Sequence, residues 1–340
     1  MSDNTKIEWS DATWNVIIGC DKVSPGCDHC YAIRTAHRMQ ANPNPKVREP
    51  YAGTESGGEW TGQVNLVADR LHLPLSWSRP RRIFVNAQSD LFHDQVPDDY
   101  IAAVFGVMAV ASWHTFQVLT KRHARMRSLL SSKDFRVRVE DYADDLATDD
   151  PRTQHESWPL SNVWLGVSAE DARWAKIRGD ALRETQAAVR FFSCEPLLGP
   201  MDDIDLTGID WVITGGESGP GARPAHPQWF RSIRDQCQAA GVAYLHKQHG
   251  EWIEDVTEYP ADPELGIDEA YRVLNVPRDA RDGKRCAMHL SGGTALTPDN
   301  PFNPFRAGHG GWTAMRRVGK ARAGRELDGR TWDEYPEVAG

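Results

Sequence analysis

The chain has 340 residues, 39 Lys and Arg against 48 Asp and Glu, a net charge of −9, and 13 Trp. A mean hydropathy of −0.56 and a longest apolar run of only residues 101–111 fall short of the roughly 20 apolar residues of a membrane-spanning helix. Residues 1–8 lack the basic start and apolar core of a signal peptide, so the expected location is the cytoplasm, with no membrane partner.

In chain order, short β-branched and aromatic runs predict strands at 15–18, 82–87, 115–120, 162–167, 189–193, 210–214 and 242–246. Amphipathic stretches between them predict helices, among them 98–113 after Pro97 and 226–240 ended by Gly241. Continuously apolar strands alternating with helices predict an α/β fold with a full or partial parallel (β/α) barrel. An open doubly wound sheet is the alternative. Residues 1–250 form the expected barrel. Insertions are expected near 41–62, which is rich in Pro and Gly, and near 136–158, which carries an acidic run at 140–150. Residues 251–340 are expected to form a loop-rich extension packed on the barrel.

Barrel chemistry gathers at the C-terminal ends of the strands. Reading outward from each candidate strand gives Gly19 and Cys20, then Asn86, Ser89 and Asp90, then Lys121 and Arg122, then Ser168 and Glu170. Cys194 and Glu195, Gly215, Gly216 and Glu217, and Lys247 and Gln248 follow. Charges at strand ends are costly to bury unless they pair or bind something. A mutual ion-pair network is the structural alternative.

Cys20, Cys27 and Cys30 lie within eleven residues in a C-x6-C-x2-C pattern. Three thiolates on one loop can hold three irons of a 4Fe-4S cluster and leave the fourth open. Zinc is the alternative, completed by His29 or His37. Cys194 reads as a packed core thiol, and Cys237 and Cys286 carry no assigned role. Three basic groups are present: Arg79, Arg81 and Arg82; Lys121, Arg122, Arg125 and Arg127; and Arg316, Arg317, Lys320, Arg322 and Arg325.

The loop phrase Pro25-Gly26-Cys27-Asp28-His29-Cys30-Tyr31-Ala32 is similar to the cluster loop of the spore photoproduct lyase-like branch of the radical S-adenosylmethionine superfamily. That superfamily usually separates its first two cysteines by three residues, whereas six separate Cys20 and Cys27. The chain more closely resembles a three-cysteine-motif family of phage and prophage proteins. The likeness runs through Ile7-Glu-Trp-Ser-Asp-Ala-Thr-Trp-Asn15, Val85-Asn-Ala-Gln-Ser-Asp-Leu-Phe-His93, Val118-Leu-Thr-Lys-Arg122 and Asn162-Val-Trp-Leu-Gly-Val-Ser168. It continues through Glu195-Pro-Leu-Leu-Gly-Pro200, Gly215-Gly-Glu-Ser-Gly-Pro-Gly-Ala-Arg-Pro224, Lys247-Gln248 and Gly324-Arg-Glu-Leu-Asp-Gly-Arg-Thr-Trp332.

The resemblance implies a barrel of the radical S-adenosylmethionine type, with a 4Fe-4S cluster on Cys20, Cys27 and Cys30 and S-adenosylmethionine as cofactor. It places Lys121, Glu195 and Glu217 as catalytic candidates. Asn86, Ser89, Asp90, Ser168, Gly215 and Gly216 are the expected cofactor contacts, although the glycine pair reads equally as a tight turn. The expected partners are a nucleotide or modified base in DNA and an electron donor protein, in the host cytoplasm if the gene is a phage's. The expected activity is an isomerase or carbon–carbon bond-forming step, for instance rearrangement of an amino-acid adduct of thymine. Arg122 or Arg223 is expected to meet phosphate, and Trp60, Trp252 or Trp312 to stack a base. The competing class is a nucleic-acid-binding or repair-associated protein with a structural zinc or iron–sulfur site.

Overall fold

The computed structural model describes residues 5, 7–148, 153, 158–254, 285–292, 294–295 and 312–337. Seven parallel strands form one sheet: β1 (Ala12–Trp14), β2 (Arg82–Val85), β3 (Thr115–Thr120), β4 (Val163–Ser168), β5 (Val189–Cys194), β6 (Trp211–Gly215) and β7 (Ala243–Gln248). Each strand is hydrogen-bonded to the next in sequence. A doubly wound sheet reverses its strand order at a switch point. This one never reverses, and it curls into a partial (β/α) barrel whose edges are β1 and β7.

The first barrel strand lies three residues earlier than the sequence predicts. Asn86 Oδ1 accepts the backbone N–H groups of Val16 and Ile17 at 3.1 and 3.2 Å, which diverts the chain from the parallel ladder after Trp14. Ile17–Ile18 then pairs antiparallel with Asn65–Leu66.

Side chains alternate across the sheet, as the two-residue period of a strand requires. Ile83, Val85, Val118, Leu165 and Val212 face outward into a core shared with the helices. Phe84, Trp164, Phe191, Trp211, Ile213 and Leu245 face inward as a second cluster. Trp9 caps that inner cluster, its ring 4.6 Å from Phe84 and 6.1 Å from Trp211. The lower interior is therefore packed around the buried Gln117, which accepts Ser10 Oγ at 2.8 Å and donates to the Trp9 carbonyl at 3.1 Å.

The longer helices among the described residues are α1 (Tyr31–Gln40), α2 (Asp98–Val110), α3 (His123–Leu130), α4 (Lys133–Leu146), α5 (Ala172–Arg183) and α6 (Pro227–Ala240). α2 stops at Val110, before Trp113, whose indole N–H donates to the Trp77 carbonyl at 2.8 Å. Much of the expected insertion at 136–158 is helical. Phe135, Val139 and Ala143 recur every four residues and are buried with α2, leaving the acidic residues on the outer face of α4. The end of that acidic run, at 149–150, lies outside the described residues. Residues 41–62 hold a short helix at Pro45–Arg48 and a hairpin pairing Glu55–Ser56 with Glu59–Trp60.

The described part of the tail holds strands where the sequence suggests loops. β8 (Trp252–Glu254), β9 (Arg285–His289), β10 (Thr294–Ala295) and β11 (Trp312–Arg317) form an antiparallel sheet in the order β8-β11-β9-β10. Cys286, Met288 and Met315 bury against the main core, so the sparse apolar positions suffice for a one-faced sheet. The Asn-Pro-Phe-Asn-Pro stretch at 300–304 lies outside the described residues. Beyond β11 the chain returns along β7, where the His246 N–H donates to the Trp332 carbonyl at 3.0 Å and the Glu334 N–H to the Tyr244 carbonyl at 3.2 Å. Among the described residues no helix is long and apolar enough to cross a membrane.

Candidate functional site

Cys20, Cys27 and Cys30 lie on the loop between β1 and α1, at the C-terminal mouth of the barrel, and all three thiols are free and part-exposed. Cys194, Cys237 and Cys286 are free but buried. Cys194 packs against Met201, their sulfurs 3.9 Å apart, as a core thiol does. The first three cysteines are thus set apart from the other three by exposure as well as by sequence.

The loop is clasped from three other strand ends. After β4, Glu170 is fully buried, and Ser24 Oγ donates to its Oε1 at 2.5 Å. Gly26 lies against the same carboxylate; a Cβ there would stand 2.4 Å from Glu170 Oε1, so only glycine lets the loop settle so closely. After β6, Glu217 accepts Arg223 Nη2 at 2.6 Å and Nε at 2.9 Å, and lies 2.9 Å from His29 Nδ1. Arg223 also donates to the Pro25 carbonyl at 2.8 Å. After β3, Arg122 Nη1 donates to Cys20 Sγ at 3.7 Å, and Arg122 is ion-paired with Asp21.

Behind the loop, the Arg178 side chain is fully buried; its Nη1 donates to Glu170 Oε2 at 2.8 Å and to the Ser168 carbonyl at 2.7 Å. Lys121 Nζ lies 3.4 Å from Glu170 Oε1. Burial on its own would raise the Glu170 pKa, but Lys121, Arg178 and the Ser24 hydrogen bond overcome it and hold the carboxyl below its ordinary value. Glu217 is likewise lowered against burial, by Arg223 and His29. Across the mouth, Lys247 Nζ donates to both Glu195 oxygens at 2.7 Å, and Gln248 Nε2 to Oε1 at 3.1 Å.

Burial pushes the Cys20 thiol up to about 12, opposed chiefly by the Arg122 charge. It raises Cys30 as well, opposed by the Ala32 and Ile33 amides in the first turn of α1. A charge on Cys27 would raise both further. Among the described residues no group of three or more His, Cys, Asp or Glu is drawn together as a metal site. The donor set is three soft thiols with cations beside them, and each nearby histidine has its Nδ1 on a carboxylate. His29 is engaged by Glu217, and His37 Nδ1 lies 3.0 Å from Glu55 Oε2.

The other expected site residues divide by what they touch. Ser89 Oγ donates to the Ile17 carbonyl at 2.8 Å. Asp90 accepts Thr120 Oγ1 at 2.7 Å and the Lys121 N–H at 2.9 Å. Ser168 is buried, and Gly215 lies beside Glu195. At Gly216 a Cβ would stand 2.0 Å from the His249 carbonyl oxygen, so the glycine pair has a packing reason. Asn86 Nδ2 and Gln248 Oε1 are buried without a hydrogen-bond partner.

The expected substrate contacts have internal partners too. Arg122 and Arg223 are engaged as described. Trp252 lies on β8, is buried, and donates its indole N–H to the Ala222 carbonyl at 2.7 Å. Trp60 packs beside Tyr51 and Ile18, and Trp312 lies on β11. Carboxylates accompany much of the basic charge: Arg82 with Asp11, Arg125 with Asp98, Arg127 with Glu184, Arg317 with Glu251 and Arg325 with Asp333.

Sequence reasoning missed Arg178. The signal was present, because Arg178 falls on the stripe of Ala175, Gly179 and Leu182 that α5 buries. A charge on such a stripe needs a buried partner, and Glu170 is that partner.

Residues 4–336 match the model of a family described as protein of unknown function (DUF5131), and the chain belongs to that family. No curated protein and no solved structure matches it.

Proposed function

We propose that the protein is an iron–sulfur enzyme of the radical S-adenosylmethionine type, acting on a nucleotide or a nucleobase in phage DNA. The observation that carries this reading is the trio of free, part-exposed thiols at the barrel mouth, clasped by charged strand ends, while the other three cysteines are buried. Cys20, Cys27 and Cys30 would hold a 4Fe-4S cluster. Such a cluster, when bound, supplies the electron that cleaves S-adenosylmethionine and opens radical chemistry on a substrate.

The chain's own residues do the remaining work. Glu170 and Glu217 hold the cysteine loop, and their lowered pKa values keep both as anions across the neutral range. The Glu195–Lys247 pair and Lys121 present fixed charges of both signs at the mouth, suited to an amino-acid moiety. Asn86 Nδ2 and Gln248 Oε1 offer a buried donor and a buried acceptor to a polar ligand. The packed tryptophan layer beneath them closes the barrel floor to water.

We assign the reaction to isomerisation or carbon–carbon bond formation, with an amino-acid adduct of thymine as substrate. Because carboxylates accompany much of the basic charge, recognition is local to a modified base, and binding to long DNA is weak. A reconstituted, dithionite-reduced sample given S-adenosylmethionine should form 5′-deoxyadenosine without substrate. A full cluster that forms none contradicts the reading. For the substrate, nucleosides from phage DNA made with and without the gene should differ by mass spectrometry, and identical profiles from a phage with modified bases would place the substrate elsewhere.

A further inference from the structure

We propose that Arg122 is a positioning and tuning residue for the cysteine site: its guanidinium, donating to Cys20, raises the reduction potential of the cluster. The inference rests on the iron–sulfur reading above. Among the described residues Arg122 is the cation whose hydrogen bond reaches a thiol of the trio, with Nη1 3.7 Å from Cys20 Sγ. Its side chain is only 9% exposed, so solvent screens the interaction weakly.

The guanidinium is fixed from behind. Asp90, 8% exposed in its side chain, lies 3.3 Å from Nη1 and is itself held by Thr120 Oγ1, the Lys121 N–H and the Phe92 N–H at 2.7, 2.9 and 3.0 Å. The Arg122 N–H also donates to Thr120 Oγ1 at 2.8 Å, which anchors the residue's backbone at the end of β3. Asp21, adjacent to Cys20 and half-exposed, pairs with the other guanidinium nitrogen. Arg122 thus sits between a buried and an exposed carboxylate with one edge on sulfur.

The direction of the effect follows from charge. Reduction adds an electron to the cluster, and a nearby cation with a hydrogen bond to a ligating sulfur stabilises the more negative state. Removing Arg122 lowers the potential. Removing Asp21 unmasks the same cation and raises it. Loss of the Asp21 carboxylate beside Cys20 raises the potential whatever Arg122 does, so the Arg122 variants carry the test and D21N calibrates the effect of one charge at this distance.

The test uses the full chain reconstituted anaerobically with iron and sulfide, as wild type, R122Q, R122K and D21N. Iron and sulfide are counted, and the cluster is titrated potentiometrically with detection by electron paramagnetic resonance. At one fixed potential, R122Q should hold at least a tenfold lower ratio of reduced to oxidised cluster than wild type, equivalent to about 59 mV for one electron. D21N should shift oppositely, and R122K should lie nearer wild type because the charge remains. Should R122Q assemble no cluster, R122M, which also removes the charge and the hydrogen bond, is measured in its place. Equal midpoints in R122Q and wild type at equal cluster content overturn the role of Arg122. A wild type that takes up no iron and sulfide overturns the iron–sulfur reading itself, and the proposal with it.

Discussion

Replacing Glu170 with glutamine keeps the side-chain shape but strands Arg178, whose side chain is fully buried and whose Nε and Nη2 already lack partners. Its remaining support would be the Ser168 carbonyl at 2.7 Å and the Trp174 ring, whose centroid is 4.1 Å from Cζ. Breaking a buried pair in this way costs about 3–5 kcal/mol. R178M should cost less, because Lys121 and Ser24 still satisfy the carboxylate. In the double variant the stranded charge is gone, so its cost should fall short of the sum of the single costs by about 2 kcal/mol, within the range for contacting groups. Urea denaturation followed by tryptophan fluorescence measures all four corners of the cycle. Hydrogen exchange adds a local reading, because Ser24 and Gly26 rest on the same carboxylate, so residues 20–30 should exchange faster in E170Q than in wild type. Costs that add within about 0.5 kcal/mol, with unchanged exchange in the loop, would refute the idea that Glu170 joins the core to the cysteine loop.

Two further predictions concern packing and titration. G216A should destabilise by about 1–3 kcal/mol in thermal or urea melts, since a Cβ 2.0 Å from the His249 carbonyl oxygen forces backbone movement; an unchanged midpoint contradicts the close approach. His246 is fully buried, and burial, then the charges of His249 and Arg325, hold its pKa well below the ordinary value. The unfolded chain therefore binds a proton that the folded chain refuses: stability is whole above about pH 6.5 and falls as pH drops, with this residue contributing up to about 1.4 kcal/mol per pH unit. Urea melts at pH 7.5 and 5.5 should show that loss reduced in H246Q, and an equal loss in both proteins removes His246 as the cause.

The barrel was legible because inward and outward positions both carry apolar residues, so β2 to β7 stand out as runs in the sequence. β1 was misplaced because what ends it is a side chain 70 residues away, the Asn86 amide that captures Val16 and Ile17. Helix α4 was hidden by its acidic face, although Phe135, Val139 and Ala143 mark the buried side. In the site, the strand-end charges could be read one by one from the sequence, but their pairing could not. Lys121 with Glu170 and Lys247 with Glu195 are chosen by strand order, which local sequence does not state, whereas Arg223 with Glu217 is a pair within one loop. The Gly215–Gly216 pair shows the converse: a motif suggestive of ligand contact has a sufficient cause in the turn after β7.

The central claim is that Cys20, Cys27 and Cys30 together bind one iron–sulfur cluster. Anaerobic reconstitution of wild type, C20A, C27A, C30A and C194A, with iron, sulfide and zinc counted per chain, tests it directly. The account predicts about four iron and four sulfide with a brown chromophore in wild type and C194A, and loss of that chromophore in each of the other three. A colourless wild type that binds one zinc and no iron, or a cluster that survives C20A, C27A and C30A alike, would contradict it.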